Sequence, residues 1–180
     1  RSVIGGRVVV GFDQSNSSPT TAEVYDRHFG IQQEHYIQHL GFSVTANLAV
    51  RRADFDEVGA FISELKSNGD REWCLRAGQA GLHLVYAHKA TVYHPARRST
   101  GEIVRKTRRK VGGKRDASSL KLTPASRQGS LSKAWEKLRA IRREHGTIMA
   151  CKVMLLMALI VAAKKHERIL LALGKPSSRA

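Results

Sequence analysis

The sequence predicts an α/β protein in which a mixed sheet with flanking helices is followed by a basic helical extension. Runs rich in valine and isoleucine alternate with segments whose apolar residues recur at helical spacing. Of the 180 residues, 42% are hydrophobic, which is typical of a globular core. Residues 1–95 hold 9 Lys/Arg against 10 Asp/Glu, a net charge of −1, whereas residues 96–180 hold 22 against 5, a net charge of +17. The basic surplus therefore belongs entirely to the second half.

Three runs rich in β-branched residues predict the strands. Residues 3–12 form the first strand, around a glycine pair. Residues 42–50, within "GFSVTANLAVRR", form the second. Residues 82–94 are expected to form two short strands separated by a turn around His88 and Lys89.

Helices are predicted between these strands. Residues 24–40 are expected to be mostly helical, and residues 53–65 place their apolar side chains near one face. A third helix covers residues 71–80, and Gly81 is suited to the position just after its end. The loop "SNGD" precedes it, so on spacing alone Asp70 is expected to cap this helix.

The second half begins with a basic segment that is expected to be helical and to end at the glycine pair 112–113. Residues 113–130 are interpreted as a linker and residues 131–180 as a basic amphipathic helical tail. The uncharged core of this tail, residues 153–163, has 11 residues, fewer than the roughly 20 that span a bilayer. We therefore expect an interfacial helix or a bundle helix.

Composition restricts the partners and the compartment. A basic half should attract an anionic partner, and a nucleic acid, an anionic membrane and a phosphate-rich substrate are all candidates. The two cysteines, Cys74 and Cys151, are far apart and give no disulfide framework, which favours a reducing compartment.

Three segments, in order, resemble the C-terminal half of a family 2 glycosyltransferase of the GT-A type: "TANLAVRRADFDEVGAF", "SNGDREWCLRAGQAG" and "LHLVYAHKATVYHPARRS". The resemblance covers residues 1–112. It implies a partial GT-A fold whose nucleotide-binding first half, with its Asp-x-Asp motif, is missing. It also implies an inverting transfer from a nucleotide sugar to an acceptor hydroxyl, with the isolated chain inactive.

The resemblance assigns the site residues. Asp70 matches the catalytic base, and Glu72 is the second carboxylate. Acceptor-binding positions correspond to Asn47, Arg51 and Trp73, and His94 matches a position that can ligate a divalent metal, Mg²⁺ or Mn²⁺. The resemblance also places Arg97 and Arg98 at the donor diphosphate. Guanidinium groups suit this role because they make bidentate contacts with phosphate oxygens.

The basic tail suggests where such an enzyme would act. It would hold the chain at the cytoplasmic, inner face of an anionic membrane, where lipid-linked or other cell-envelope and polysaccharide acceptors are found. The alternatives are a basic nucleic-acid-binding module and a helical module that pairs with another protein. Nucleic acid is the less favoured partner, because aromatic residues make up only 6% of the chain and base stacking is poorly served.

Overall fold

The computed structural model describes residues 1–13, 15, 18–65, 67–119 and 131–175, without the side chains of 116–119. These residues form three strands, six α-helices and a short 3₁₀ turn at Thr45–Asn47. The strands are β1 (Ser2–Gly11), β2 (Leu48–Ala49) and β3 (His83–Pro95). The helices are α1 (Thr21–Phe29), α2 (Gln33–Leu40), α3 (Arg52–Val58), α4 (Gly69–Gln79), α5 (Thr100–Ser119) and α6 (Leu131–Ala172).

The chain divides into two compact units, each built from separate stretches of sequence. Unit 1 comprises the described residues of Arg1–Val9, Ile31–His94 and Gly113–Ala125. Unit 2 comprises those of Val10–Gly30, Pro95–Gly112 and Ser126–Ala180.

The sheet is mixed, as the sequence predicts, with strand order β2-β1-β3. β1 and β2 are antiparallel, with Ile4 opposite Ala49. β1 and β3 run in the same direction, because the His83 N–H donates to the Arg1 carbonyl (3.1 Å) and the Ala96 N–H donates to the Gly11 carbonyl (2.9 Å). The predicted class of a mixed α/β protein is therefore confirmed.

Two predicted strands differ from the structure. The second strand is only two residues long, because the 3₁₀ turn at Thr45–Asn47 occupies the centre of the predicted run. The turn predicted around His88 and Lys89 is wrong, since β3 continues without a break through both residues. No glycine or proline interrupts residues 83–94, so nothing in the backbone stops the strand there.

Glycines explain most differences in the helices. The predicted helix 53–65 ends at Val58, because Gly59 adopts a φ of +86°. The predicted helical segment 24–40 falls in two helices, α1 and α2, which are separated by Gly30 and the two residues after it. α5 continues through the glycine pair 112–113, where a Cβ on Gly113 would lie 2.6 Å from the Ser67 Cβ. Gly113 therefore permits close packing against Ser67, and the glycine pair does not end the helix. The helix covers the start of the predicted linker, and residues 120–130 lie outside the described residues.

The core of unit 1 lies between α3, α4 and the sheet. Its buried residues are Val3, Trp73, Cys74, Ala77 and Leu82. The end of α4 is as predicted: Gly81 has a φ of +80°, and the N–H of Leu82 donates to the Ala77 carbonyl (3.0 Å), as in a Schellman motif.

The core of unit 2 joins α6 to α1 and α5. Val24 of α1 packs with Ile141 and Val153 of α6, and a second cluster packs Ile103 of α5 with Ile160 of α6. α6 is helical on both sides of Gly146, whose φ of +84° and ψ of 168° break the helix at that residue. The predicted tail thus supplies much of the apolar core of unit 2.

One helix in the described part of the chain, α6, is long and apolar enough to cross a membrane by length and composition alone. Its most apolar 18-residue window has a mean hydropathy of 2.2, and 28% of that window is buried within the protein. The uncharged run at residues 153–163 is shorter than this window because it contains no charged residue, whereas the 18-residue window can include up to two. α6 could therefore associate with a membrane.

Candidate active site

Asp70 is the second residue of α4 and is half-buried. Its Oδ1 accepts a hydrogen bond from the Arg71 N–H (2.8 Å). The capping position belongs to Asn68, which has a left-handed φ of 70°, so the prediction that Asp70 caps the helix is wrong by two residues. Asp70 nevertheless lies in the first turn, where the helix dipole favours a negative charge.

Glu72 lies two residues after Asp70 in α4 and is only 4% exposed. Its two oxygens accept from Nε (2.5 Å) and Nη2 (3.0 Å) of Arg76. Arg76 also donates to the carbonyl of Val58 and to that of Ala60 (2.8 Å), on either side of Gly59. The Glu72–Arg76 pair therefore fastens α4 to the end of α3.

Trp73 is fully buried in the core of unit 1. Its ring stacks on Phe55 of α3, with centroids 5.6 Å apart, and its Nε1 donates to the Gly59 carbonyl (2.8 Å). The structure thus places this side chain behind the loop at Gly59, with no surface exposed to solvent.

The two other positions predicted to bind the acceptor lie around the 3₁₀ turn. The Asn47 amide nitrogen donates to the carbonyls of Arg7 (2.9 Å) and Ala90 (2.8 Å), and so ties β1 to β3. Arg51 precedes α3, and its Nε donates to the buried carboxylate of Asp54 (2.7 Å) while most of the side chain is exposed.

His94 is half-buried near the end of β3. Among the described residues, no group of three or more His, Cys, Asp or Glu side chains close enough to share a metal ion includes His94. The residues described around it therefore supply one imidazole and do not by themselves form a complete metal site.

Arg97 lies in unit 2, in the loop between β3 and α5. Its Nη1 (2.9 Å) and its backbone N–H (3.2 Å) both donate to Oδ2 of Asp26, and Lys106 donates to the other oxygen (2.9 Å). Asp26 is 2% exposed. Arg97 is consequently part of a buried ion-pair network.

Arg98 is more accessible than its neighbour, with 57% of its side chain exposed. Its Nη1 lies 2.8 Å from a carboxylate oxygen of Asp13. The backbone of Arg98 is fixed on both sides, since its carbonyl accepts from the Thr20 hydroxyl (3.0 Å) and its N–H donates to Glu102 (2.9 Å). A fixed backbone and an exposed guanidinium suit a residue that meets a ligand.

The predicted site residues thus fall into two sets. Unit 1 holds Asp70, Glu72, Trp73, Asn47, Arg51 and His94, and unit 2 holds Arg97 and Arg98. Within unit 1, Trp73 binds the Gly59 carbonyl directly. Glu72 contacts the same loop through Arg76, which donates to the Val58 carbonyl.

Sequence reasoning missed two features of these units. Thr20 and Glu23 form a capping box at the start of α1, which the sequence "TTAE" could have indicated. Unit 1 also contains a polar cavity of about 260 Å³ beside the start of α2, lined in part by Arg7, Glu34 and Tyr86. No sequence pattern marks this cavity, because its lining comes from three separate elements.

Over 104 residues, the chain is 36% identical to glycosyltransferase AglE of Haloferax volcanii. This chain is homologous to a glycosyltransferase. The match takes in 58% of the chain and 33% of the relative, so the chain spans about a third of the length of the curated relative that it matches. No family model and no solved structure matches the chain. The homology supports a transferase and agrees with the glycosyltransferase resemblance of the sequence segments.

Proposed function

We propose that the chain is the acceptor-side part of an inverting, family 2 glycosyltransferase with a GT-A fold. It would transfer a sugar from a nucleotide donor to an acceptor hydroxyl. The observation that carries this proposal is the 36% identity to a glycosyltransferase over 104 residues. The mixed sheet with flanking helices is compatible with part of such a domain.

Asp70 is the proposed general base. It would accept the proton of the acceptor hydroxyl as that oxygen attacks the anomeric carbon, while the bond from this carbon to the donor diphosphate breaks. Attack from the face opposite the leaving group inverts the configuration. The hydrogen bond from the Arg71 N–H supports this role, because it restrains the carboxylate at the start of α4.

Glu72 is less suited to the same role. Both of its oxygens are engaged by Arg76, and the side chain is almost completely buried. We therefore assign Glu72 to positioning, since it holds α4 against the loop at Gly59. Trp73 would act in the same way from behind that loop, whereas the exposed Arg51 could contact an acceptor directly.

For the donor, Arg98 is the stronger candidate of the arginine pair. Its guanidinium is more exposed than that of Arg97, which is engaged with buried Asp26. Mg²⁺ or Mn²⁺ would neutralise charge on the leaving diphosphate if bound. His94 could supply one ligand, and the described residues do not supply the others.

The proposed setting is the cytoplasmic face of a membrane, with a lipid-linked or other cell-envelope acceptor. The support is α6, which is long and apolar, in a half of the chain with a net charge of +17 from 22 Lys/Arg and 5 Asp/Glu. Basic residues close to an anionic surface contribute about 1 kcal/mol each to its binding.

The test is sugar transfer from a panel of nucleotide sugars, measured with this chain and with the longest gene product that contains it. Asp70→Asn should lower the transfer rate by at least about a hundredfold, the usual contribution of a general base. Asp56→Asn is the matched control, because Asp56 is an exposed carboxylate that forms an ion pair with Arg52 of the same helix (2.9 Å). It should leave the rate unchanged.

Two further measurements separate the parts of the proposal. The anomeric configuration of the product, read by nuclear magnetic resonance, should be opposite to that of the donor. Chelation of divalent ions should reduce the rate, and Mn²⁺ should restore it. Full activity of Asp70→Asn in an otherwise active protein would remove Asp70 as the base, and a retained configuration would remove the inverting mechanism.

A further inference from the structure

His28, Glu144 and His145 bring three metal-ligating side chains together in unit 2. His28 lies in the last turn of α1, and the other two directly precede the break at Gly146 in α6. The Glu144 Oε2 is 3.5 Å from Nε2 of His28 and 3.8 Å from Nε2 of His145. All three ligand atoms lie within 4.8 Å of one another.

These three side chains form a cluster that is buried on the histidine side and open to solvent at Glu144. The two imidazoles are largely buried, at 14% and 18% exposure, whereas Glu144 is 49% exposed. Within the described residues, the buried Nε2 of His145 has no hydrogen-bond partner. An unsatisfied buried polar nitrogen costs about 1–3 kcal/mol, so a ligand for this atom would be favourable.

Two of the three spacings between the ligand atoms are close to what zinc requires, and the third is at most 4.8 Å. With metal–ligand bonds of about 2.0–2.1 Å in a tetrahedron, neighbouring ligand atoms lie about 3.4 Å apart. The two nitrogen–oxygen distances of 3.5 and 3.8 Å exceed this by a few tenths of an ångström, which small side-chain rotations can correct. Two imidazoles and one carboxylate are also a known zinc ligand set with a fourth position free.

We propose that His28, Glu144 and His145 bind Zn²⁺ through two Nε2 atoms and one carboxylate oxygen, with water at the fourth position. The metal would join the end of α1 to the break in α6. This site is separate from the proposed sugar transfer, which uses none of its three residues.

Neighbouring cations should limit the affinity. Arg27 lies over the Phe12 ring (4.6 Å) and Lys137 over the Phe29 ring (5.2 Å), and both act electrostatically on His28. Of the three proposed ligands, Glu144 alone carries a negative charge that offsets these cations. We therefore expect a dissociation constant in the micromolar range for Zn²⁺.

The experiment is a titration of the metal-free chain with Zn²⁺ against a chromophoric chelator, followed by Co²⁺ substitution. We expect one equivalent of Zn²⁺, a higher melting temperature when it is bound, and the visible absorption bands of tetrahedral Co²⁺. His28→Ala and His145→Ala should each weaken binding more than tenfold. The control is His166→Ala, which changes an exposed histidine elsewhere on α6 and should leave binding unchanged.

Because an alanine in a core could unfold the unit, circular dichroism should accompany each variant. Glu144→Gln provides a second test, since Glu144 is half-exposed and its replacement keeps the shape of the side chain. It too should weaken binding and abolish the Co²⁺ bands. Unchanged Zn²⁺ binding in folded Glu144→Gln, or an equal loss in His166→Ala, would overturn the proposal.

Discussion

Asp26 shows how a single residue can organise unit 2. Its buried carboxylate accepts hydrogen bonds from Lys106, from the guanidinium of Arg97 and from the backbone N–H of Arg97. Burial works against its ionisation, but Lys106 and Arg97 outweigh that effect and hold the pKa of Asp26 below its usual value. The ionised carboxylate is therefore the form that the folded state favours.

Replacing this carboxylate should reveal its contribution. Asp26→Asn leaves two partly buried cations without their counter-charge, so the free energy of unfolding should fall by about 3 kcal/mol at pH 7. Urea denaturation measures this change. Asp56→Asn, at an exposed ion pair, should change it by less than about 1 kcal/mol. Equal effects in the two variants would contradict the buried-network account.

The same residue gives a pH dependence. Because its pKa is lower in the folded state, Asp26 contributes stability that is complete above the unfolded pKa, near 3.8, and is lost as the pH falls through the lower folded pKa. Denaturation from pH 7 to pH 2 should therefore show a loss below about pH 4 that is smaller in Asp26→Asn.

At this scale, what the sequence can indicate depends on how far apart the interacting residues lie. The capping box at Thr20 and Glu23 was missed although its two residues are three apart, so that its signal is present in a short segment. Asp26 and Arg97 are 71 residues apart, and nothing local to either one indicates the other. Trp73 could equally have lined a pocket, and only the packing of Phe55 against it shows that it is buried.

Among the elements, α6 owes its form to Gly146. The φ of +84° with ψ of 168° lies in a region that is essentially restricted to glycine, although nothing within 4 Å would touch an added Cβ. Gly146→Ala should therefore lower the free energy of unfolding by about 1–3 kcal/mol through backbone strain alone. Thermal or urea denaturation would measure it.

A second glycine supplies the control for that variant. Gly78 lies within α4, also has nothing within 4 Å of an added Cβ, and has no positive φ. Gly78→Ala should raise stability by about 0.5–1 kcal/mol, because alanine restricts the unfolded chain more than glycine does. Changes of the same sign in both variants would show that Gly146 is not strained in this way.

How well an element was predicted follows from how local its signal is. β1 and the end of α4 agree with the sequence, since a run of β-branched residues and a C-terminal glycine are local features. The end of α5 was predicted wrongly, because Gly113 allows a close contact with Ser67, which is distant in sequence. The proposed zinc ligands were missed for the same reason.

For the molecule as a whole, the exposed apolar side chains of α6 bear on membrane association. Ile148, Leu155 and Leu159 are 74%, 72% and 46% exposed, and their spacing of seven and four residues puts them on one face. Leu155→Asp should reduce retention on vesicles containing anionic lipid by more than tenfold, because burying a leucine side chain contributes about 1.5–3 kcal/mol.

Leu131→Asp is the matched control for the vesicle measurement. It adds the same charge to an exposed leucine at the start of α6, ahead of the apolar face. Retention should change little. A point variant is a better test of membrane binding than deletion of residues 131–180. α6 contributes Ile141 and Val153 to a core with α1, and the deletion would expose that core. Equal loss in both leucine variants would point to charge alone.

The pairing of β1 with β3 has a consequence for synthesis of the protein. Arg1 meets His83, and Gly11 meets Ala96, only after the intervening residues have left the ribosome. At about 5–20 residues per second, the first strand waits for several seconds with one edge unpaired. β2 arrives sooner but covers only two residues. During that interval β1 is an apolar strand open to pairing with other chains, so soluble yield should fall when slow translation lengthens the interval and should rise with chaperones that shield nascent strands.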